Sequence, residues 1–326
     1  MRYRPVGQSG IQASVVGFGA WAIGGWMWGG CDDETAVKAV QKAIDVGMNL
    51  IDTAPAYGFG RSEEIIGRAI AGRRDRVVLA TKCGLCWHVS KGDFFFEAEG
   101  HRVYRYLHPD SIAYEVEQSL KRLKTDRIDI LQTHWQETTT PVEETMAALV
   151  RLKEQGKIRA IGVSNVTVAH LEKYRSVGPV DNIQERYSMI DRKIEAELIP
   201  YCIRHGIAVF AYSPLEQGLL TGKVGPDRKF NPGDQRVNKP RFSLENRKKI
   251  ADMLEEFRPI AEKHSLTLGQ LAIAWTVAQP GLTHALVGAR APEQVAENAV
   301  GGGAVLEPDD LKKMDEIIAR HAPGIK

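Results

Sequence analysis

Cysteine is scarce in this sequence: Cys31, Cys83, Cys86 and Cys202 are the four in 326 residues. So few exclude a disulfide scaffold and point to a reducing compartment, the cytoplasm. A dominant charge is missing too. Lys and Arg total 43 against 41 Asp and Glu, a formal net charge of +2. That balance excludes a general attraction to nucleic acid or an acidic membrane and leaves room only for local basic pockets. No low-complexity segment or long linker interrupts the chain. No apolar stretch makes a comfortable membrane span, which needs about 20 residues. The nearest, 15–31, has 17 residues, of which six are Gly and three Trp. Arg2 and Arg4 precede it, the arrangement of an export signal or anchor. A buried strand followed by a glycine-rich loop explains its composition better. A metal site is poorly supplied as well: the one C-x-x-C offers two thiolates, with His88 or His101 as further candidates, and there is no second C-x-x-C.

What is present is ordinary for a globular protein: 43% apolar and 26% charged residues. The length admits two domains, or one α/β barrel. Short apolar runs recur at Val15–Gly19, Leu50–Asp52, Val77–Thr81, Ile128–Thr133, Ala160–Val163, Asn182–Gln184, Ala208–Tyr212 and His284–Val287. Their lengths suit buried strands. Amphipathic helix patterns lie between them, at Asp33–Val46, Pro109–Leu123, Val142–Gln155, Lys193–His205 and Leu266–Gln279. Alternation of this kind predicts a parallel sheet covered by helices, and eight strands is the number that closes a barrel. Outside the repeat, Tyr3–Gln12 reads as a hairpin around Gly7–Gly10. Leu244–His264 reads as an extra helix that Pro259 should kink or split, and Asp309–His321 as a terminal helix. The expectation is a (β/α)8 TIM barrel over 1–326, with an N-terminal hairpin, two extra helices and long loops on its C-terminal face.

Such barrels carry their chemistry at the C-terminal ends of the strands. Asp52 ends the second run, and Tyr57 lies in the loop after it. Lys82 follows the third and His134 the fourth. Singly, Asp52 reads as a turn cap, Lys82 as a solvated strand end and His134 as a core histidine. Jointly they have a chemical logic. A free tyrosine titrates near 10, and a nearby ammonium lowers that value. Asp52 would hold Lys82 in place, while His134 bonds the oxygen that Tyr57 protonates. No nucleophile or metal cluster accompanies them, so a cofactor hydride is the natural attacking group. Gly17-Phe-Gly19-Ala-Trp-Ala22 fits a dinucleotide fingerprint, but Gly and Trp follow where a helix would have to start.

At this point the sequence strongly resembles the aldo-keto reductase superfamily. The resemblance is carried by GFGAWAIGGWMWGG (17–30), LIDTAPAYGFGRSEEIIGRAI (50–70), LATKCG (79–84), RIDILQTHW (127–135), GKIRAIGVSN (156–165), AYSPLEQGLLTGK (211–223) and GARAPEQVAEN (288–298). The segment WAIGGWMWGG and KPRF (239–242) look closest to bacterial general-stress and inositol-operon reductases. The resemblance implies an NADP(H)-dependent reductase of aldehydes or ketones, open-chain sugars included, with Asp52, Tyr57, Lys82 and His134 as the catalytic tetrad. It further implies that Ser164, Asn165 and Gln184 meet the nicotinamide amide and that Tyr212 stacks on the ring. Ser213, Leu215, Gly218 and Lys223 would follow the pyrophosphate. Gly288, Arg290, Gln294, Glu297 and Asn298 would meet the adenosine end, and Ala20 and Trp21 would be further cofactor contacts on the same rim. Arg290 suits a 2′-phosphate, which favours NADP(H) over NAD(H). Ala291 stands where many relatives have a second basic residue, and Glu297 would accept ribose hydroxyls, so NAD(H) use stays open.

The substrate side is an aromatic mouth: Trp21, Trp26, Trp28, Trp87 and Trp135. The long loop Cys83–His108 adds Phe94, Phe95 and Phe96 and reads as a lid. Cys83 and Cys86 directly follow Lys82 and read as small structural residues, with a redox pair as the competing reading. The implied partner is a small carbonyl or alcohol substrate, with no nucleic acid and no membrane; nothing in the sequence specifies an oligomeric state. The alternative function is a cofactor-binding, redox-sensing regulatory subunit, like the channel-associated relatives. Those tend to carry Asn in place of the histidine, and His134 favours the enzyme.

Overall fold

The apolar runs become strands because they are short and carry β-branched residues, and helices cover their outer faces. The computed structural model describes residues 1–325. In chain order, β1 (Tyr3–Pro5) and β2 (Gln12–Ser14) precede β3 (Val16–Gly19), α1 (Asp33–Asp45), β4 (Leu50–Asp52), α2 (Arg61–Ala69) and β5 (Val78–Cys83). Next come β6 (Leu85–Cys86), β7 (Asp93–Ala98), β8 (His101–Arg105), α3 (Pro109–Leu123), β9 (Ile128–Thr133), α4 (Val142–Glu154), β10 (Ile158–Ser164) and α5 (Val168–Val177). The chain continues through β11 (Asn182–Arg186), α6 (Leu198–His205), β12 (Ala208–Tyr212), α7 (Leu244–Lys263), α8 (Leu268–Ala278), β13 (His284–Gly288), α9 (Pro292–Gly303) and α10 (Pro308–His321).

Strands β3, β4, β5, β9, β10, β11, β12 and β13 pair in that order and close into a parallel barrel. The expected (β/α)8 architecture is therefore present, with the β1–β2 hairpin ahead of it. That hairpin plugs the barrel floor. Its Val6, Ile11 and Ala13 pack against Leu50, Val78, Ile130, Ala160 and Ala208 from the early positions of the barrel strands. Function is thereby confined to the opposite rim. No helix among the described residues is long and apolar enough to cross a membrane. The supposed dinucleotide fingerprint leads into a short 3-10 turn, Ala20–Gly24, and no α-helix begins before Asp33.

Three expectations need correction. The helix expected at Lys193–His205 is a 3-10 turn at Lys193–Glu195 and a separate α6. Pro200 explains the break: in a helix begun at Lys193 its ring would strike the carbonyl of Ala196, whereas in α6 it falls in the first turn. Pro259 does not split α7. Met253, Leu254, Phe257, Ile260 and Ala261 are buried on both sides of it, and that packing outweighs the local propensity. The supposed lid loop is an antiparallel sheet ordered β6–β8–β7. Glu99 and Gly100, at φ +50 and +78, form the two-residue turn that joins its hairpin strands.

Inside the barrel Gly162 has a steric duty. A Cβ there would collide with Asn182 Oδ1 and sit 2.7 Å from Gln132 Cγ. The glycine lets two amide side chains share the barrel axis. The cysteines are all free; Cys83, Cys86 and Cys202 are buried and Cys31 is half-buried. Burial, then the Glu115 carboxylate, pushes the Cys83 thiol well up, and the same two causes push Cys86 up to about 12. Neither holds the thiolate that disulfide exchange requires, which works against the redox-pair reading.

Two measurements check these points. Gly162→Ala should lower unfolding stability by about 1–3 kcal/mol, read from denaturant midpoints; an unchanged midpoint would contradict the crowding. A thiol reagent should modify Cys31 alone in the native protein and all four cysteines after unfolding. Rapid native labelling of Cys83 or Cys86 would show the burial to be wrong.

Candidate active site

Strands β4 and β5 lie side by side with Asp52 opposite Ala80, and Lys82 lies opposite Gln132 of β9. Side chains two apart on a strand share a face, so Ala80 and Lys82 both point into the barrel. Lys82 is buried and donates to Asp52 Oδ1 at 2.9 Å, to Asp52 Oδ2 at 2.8 Å and to the Thr53 carbonyl at 2.8 Å. Its three protons are thus all engaged.

Tyr57 stands on the turn after β4. Its ring stacks on Trp21 at 6.2 Å and meets the His134 ring edge-on at 5.8 Å. Lys82 Nζ lies 5.1 Å from its centroid. The backbone beneath it is held by the glycine loop: a Cβ on Gly24 would sit 2.7 Å from both the carbonyl carbon and oxygen of Tyr57. His134 is placed by backbone bonds, donating from N–H to the Cys83 carbonyl at 2.9 Å and accepting from Asn165 Nδ2 at 2.9 Å. The four residues expected to act together therefore meet at one place.

Their electrostatics differ from the simple expectation in one respect. The Tyr57 phenol is pushed well above its usual value, first by burial and then by the Asp52 carboxylate. Lys82 is expected to draw it down, but burial and the Asp52 carboxylate, which binds that ammonium through both oxygens, outweigh it. Burial also draws the pair toward neutrality, Asp52 upward and Lys82 downward, and their mutual attraction opposes it. His134 is held well below its usual range by burial and then by the Lys82 ammonium, which keeps the imidazole neutral.

The expected nicotinamide contacts are partly committed to the protein. Ser164 Oγ donates to the Gln184 carbonyl at 2.6 Å. Asn165 has a left-handed backbone, φ +55, and accepts from the Tyr212 hydroxyl at 3.0 Å. Gln184 Nε2 donates to Asp52 Oδ1 at 2.8 Å and to Gln132 Oε1 at 3.0 Å. It therefore supports the Asp52–Lys82 pair, a role sequence reasoning missed, together with Gln132. Buried amides at inward strand positions, Gln132 and Gln184, were the available signal.

Farther round the rim, Ser213, Glu216, Gln217 and Gly218 all have left-handed backbones, at φ +57, +46, +55 and +103, and they shape the turn that carries Leu215. Lys223 and Glu297 form an exposed ion pair at 2.6 Å on the rim where the adenosine end is expected. Gln294 accepts the Arg290 N–H at 2.8 Å, and Asn298 Nδ2 donates to the Gly288 carbonyl at 3.4 Å. Arg290 Nη1 donates to the carbonyls of Trp28 and Gly30 at 3.1 and 3.3 Å, joining two rim loops. Ala20 starts the turn that presents Trp21.

The tryptophans divide. Trp21 meets Trp28 edge-on at 5.4 Å. Trp26 packs between Phe59 and Phe96, and Trp135 against Phe95, which fastens the β7–β8 hairpin over the mouth. Trp87 packs on Phe59, which links it to Trp26, and also lines a cavity of about 90 Å³ with His88, Tyr114 and Glu115. Arg236 and Lys239 were missed. Arg236 lies over the Trp28 ring at 5.1 Å, and Lys239 over Trp21 at 5.7 Å.

This donor set fits a nicotinamide dinucleotide. Asp234 pairs with Arg236, Glu297 with Lys223, and Glu216 with Arg186 and Arg241. Among the described residues Arg290 and Lys239 have no carboxylate partner, and such rim cations suit anionic groups, Arg290 above all the forked geometry of a phosphate. No group of three His, Cys, Asp or Glu among the described residues is placed to hold a metal.

Comparison with known proteins agrees. The chain is 45% identical over 323 residues to the NADH-specific methylglyoxal reductase of Escherichia coli (strain K12), covering 97% of this chain and 98% of that one. It is 39% identical over 321 residues to the aldo-keto reductase YhdN of Bacillus subtilis (strain 168), covering 98% and 94%. The structure of the glycerol dehydrogenase AKR11B4 from Gluconobacter oxydans superposes with a TM-score of 0.88 at 41% identity, covering 98% of this chain and 96% of that one. The family model described as Aldo/keto reductase family matches residues 15–319. With the closed barrel and the rim geometry, these matches establish that the chain belongs to the aldo/keto reductase family, oxidoreductases that work with nicotinamide cofactors.

Proposed function

We propose that this chain reduces aldehydes or ketones to alcohols with NADP(H), accepting NAD(H) as well, and that Tyr57 is the proton donor. The observation that carries the reading is the meeting of Tyr57, His134 and the buried Lys82–Asp52 pair around one point. A bound nicotinamide supplies the hydride. The protein's own residues handle the oxygen. Tyr57 stays protonated at neutral pH because burial and Asp52 raise its pKa, so it arrives as a donor. The neutral His134 bonds the same carbonyl oxygen and fixes its direction. As the proton leaves, negative charge grows on Tyr57 and is met by the Lys82 ammonium under its ring. Asp52 and Gln184 keep that ammonium from turning away. The imidazole edge-on to Tyr57 supports turnover over a purely regulatory, cofactor-sensing role.

Ser164, Asn165 and Tyr212 would hold the nicotinamide end, and the turn bearing Ser213, Leu215 and Gly218 would pass beside the phosphates. Arg290 would meet a 2′-phosphate by forked hydrogen bonding. The E. coli relative is named NADH-specific, which supports NAD(H) as a working cofactor here too. The four unbridged cysteines support a cytoplasmic setting.

The test is consumption of NADPH and NADH against aldehydes, aldoses and methylglyoxal, with glycerol as the alcohol for the reverse direction. Tyr57→Phe should lose about 100-fold or more in kcat, and full turnover in that variant would sink the mechanism. Arg290→Ala should raise the KM for NADPH about tenfold or more while moving that for NADH far less. Equal shifts in the two KM values would remove the 2′-phosphate assignment.

A further inference from the structure

Besides Arg290, one rim cation has no partner of opposite charge among the described residues, and it has no role so far. Lys239 is half-buried, and its ammonium lies 5.7 Å from the centre of the Trp21 ring. Trp21 stacks on Tyr57. The ammonium is therefore one aromatic ring away from the proposed acid. It donates to a neutral acceptor, Gln217 Oε1, at 3.2 Å. Among the described residues no carboxylate pairs with it, because those nearby are engaged: Asp234 by Arg236, Glu216 by Arg186 and Arg241, Asp52 by Lys82. Arg186 and Arg236 add like charge around it. A partly desolvated ammonium facing arginines is costly to keep, and an anionic oxygen beside it would relieve both penalties.

That anion has two sources, the cofactor phosphates and an acidic group on the substrate. The Lys239 acceptor, Gln217, lies in the turn proposed to pass the phosphates, so the substrate source rests on the ring that the ammonium covers. Arg236 lies over the Trp28 ring and Arg290 holds the Trp28 carbonyl. Lys239 instead lies over Trp21, the ring that meets Tyr57.

Resting on Tyr57 as the acid, we propose that Lys239 is a specificity determinant for carbonyl substrates bearing a carboxylate or phosphate, pairing with that group while the carbonyl oxygen meets Tyr57 and His134. Such a molecule would span from Lys239 past Trp21 to Tyr57. Burial first, then Arg186, with Arg236 adding less, brings the Lys239 ammonium down to about 8, against the pull of Glu216 and Asp234. Recognition of the anion is thus present at neutral pH and fades as the ammonium loses its proton on the alkaline side.

The experiment compares 4-carboxybenzaldehyde with methyl 4-formylbenzoate, and D-glyceraldehyde 3-phosphate with D-glyceraldehyde, in the unaltered enzyme, Lys239→Met and Lys239→Arg. In Lys239→Met the preference in kcat/KM for the acidic member of a pair should fall at least about tenfold, mainly through KM. Lys239→Arg should retain most of it. The unaltered enzyme's KM for the acid should rise from about pH 7 to about pH 9 while that for the ester does not. The two pairs tell carboxylate from phosphate.

NADPH affinity, read from tryptophan quenching, separates the cofactor source. Weaker NADPH binding in Lys239→Met with an unchanged acid preference would overturn the proposal and assign the lysine to the cofactor phosphates. An unchanged preference with unchanged NADPH affinity overturns it as well. Benzoate quenching of tryptophan fluorescence is independent of turnover. Its loss in Lys239→Met supports the anion site even if Tyr57→Phe proves fully active, and equal benzoate affinity in both proteins counts against the site whatever the enzyme reduces.

Discussion

A lysine and an aspartate buried side by side in a barrel set the terms for everything around them. Each charge alone would be intolerable there, and removing one partner of such a pair costs about 3–5 kcal/mol. The pair is kept because every proton of Lys82 has an acceptor and Asp52 has further support from Gln184. Those bonds tie β4 to β5 and reach across the barrel to β11. They also bond the ammonium to the Thr53 carbonyl, on the segment that leads into Tyr57. A structural requirement and a chemical one are met by the same few hydrogen bonds.

The rim above the pair is built by contacts that local sequence would not favour. Non-glycine residues with left-handed backbones cluster after β12, and Asn165 adopts the same conformation after β10. Strain of this sort persists where surrounding structure over-determines it. Here the surroundings are ion pairs: Glu216 to Arg186 and Arg241, and Lys223 to Glu297. Aromatic packing does the equivalent work on the other side, where Trp26 and Trp135 fasten the β7–β8 hairpin. A fully polar rim would leave that hairpin without a hydrophobic anchor.

Much of this was legible. Strand runs, helix spacing and Asp52, Tyr57, Lys82 and His134 at strand ends all emerge from local pattern. What escaped has physical reasons. The β6–β8–β7 sheet was hidden because its aromatic run lacks clean alternation, although Glu99-Gly100 marks the turn. The break ahead of α6 turned on Pro200, and the continuity of α7 through Pro259 on burial of both its halves. The bonding of Gln184 to Asp52 crosses 132 positions of sequence, beyond any local rule. The direction of the Tyr57 shift depended on how deeply its phenol is buried and on the Asp52 carboxylate that binds Lys82.

The sequence by itself determined the strand–helix alternation, the barrel it closes and the family, because periodicity and motif spacing are local properties of the chain. Only the tertiary structure decided which charges are neutralised. It bound Glu297 to Lys223 and Glu216 to its arginines, and it left Lys239 over Trp21 beside a single amide. The low cysteine count, balanced charge and absence of a membrane-length apolar run could say nothing of this. Net charge sums over the whole surface, whereas recognition depends on one ammonium and on which carboxylates lie within about 4 Å of it.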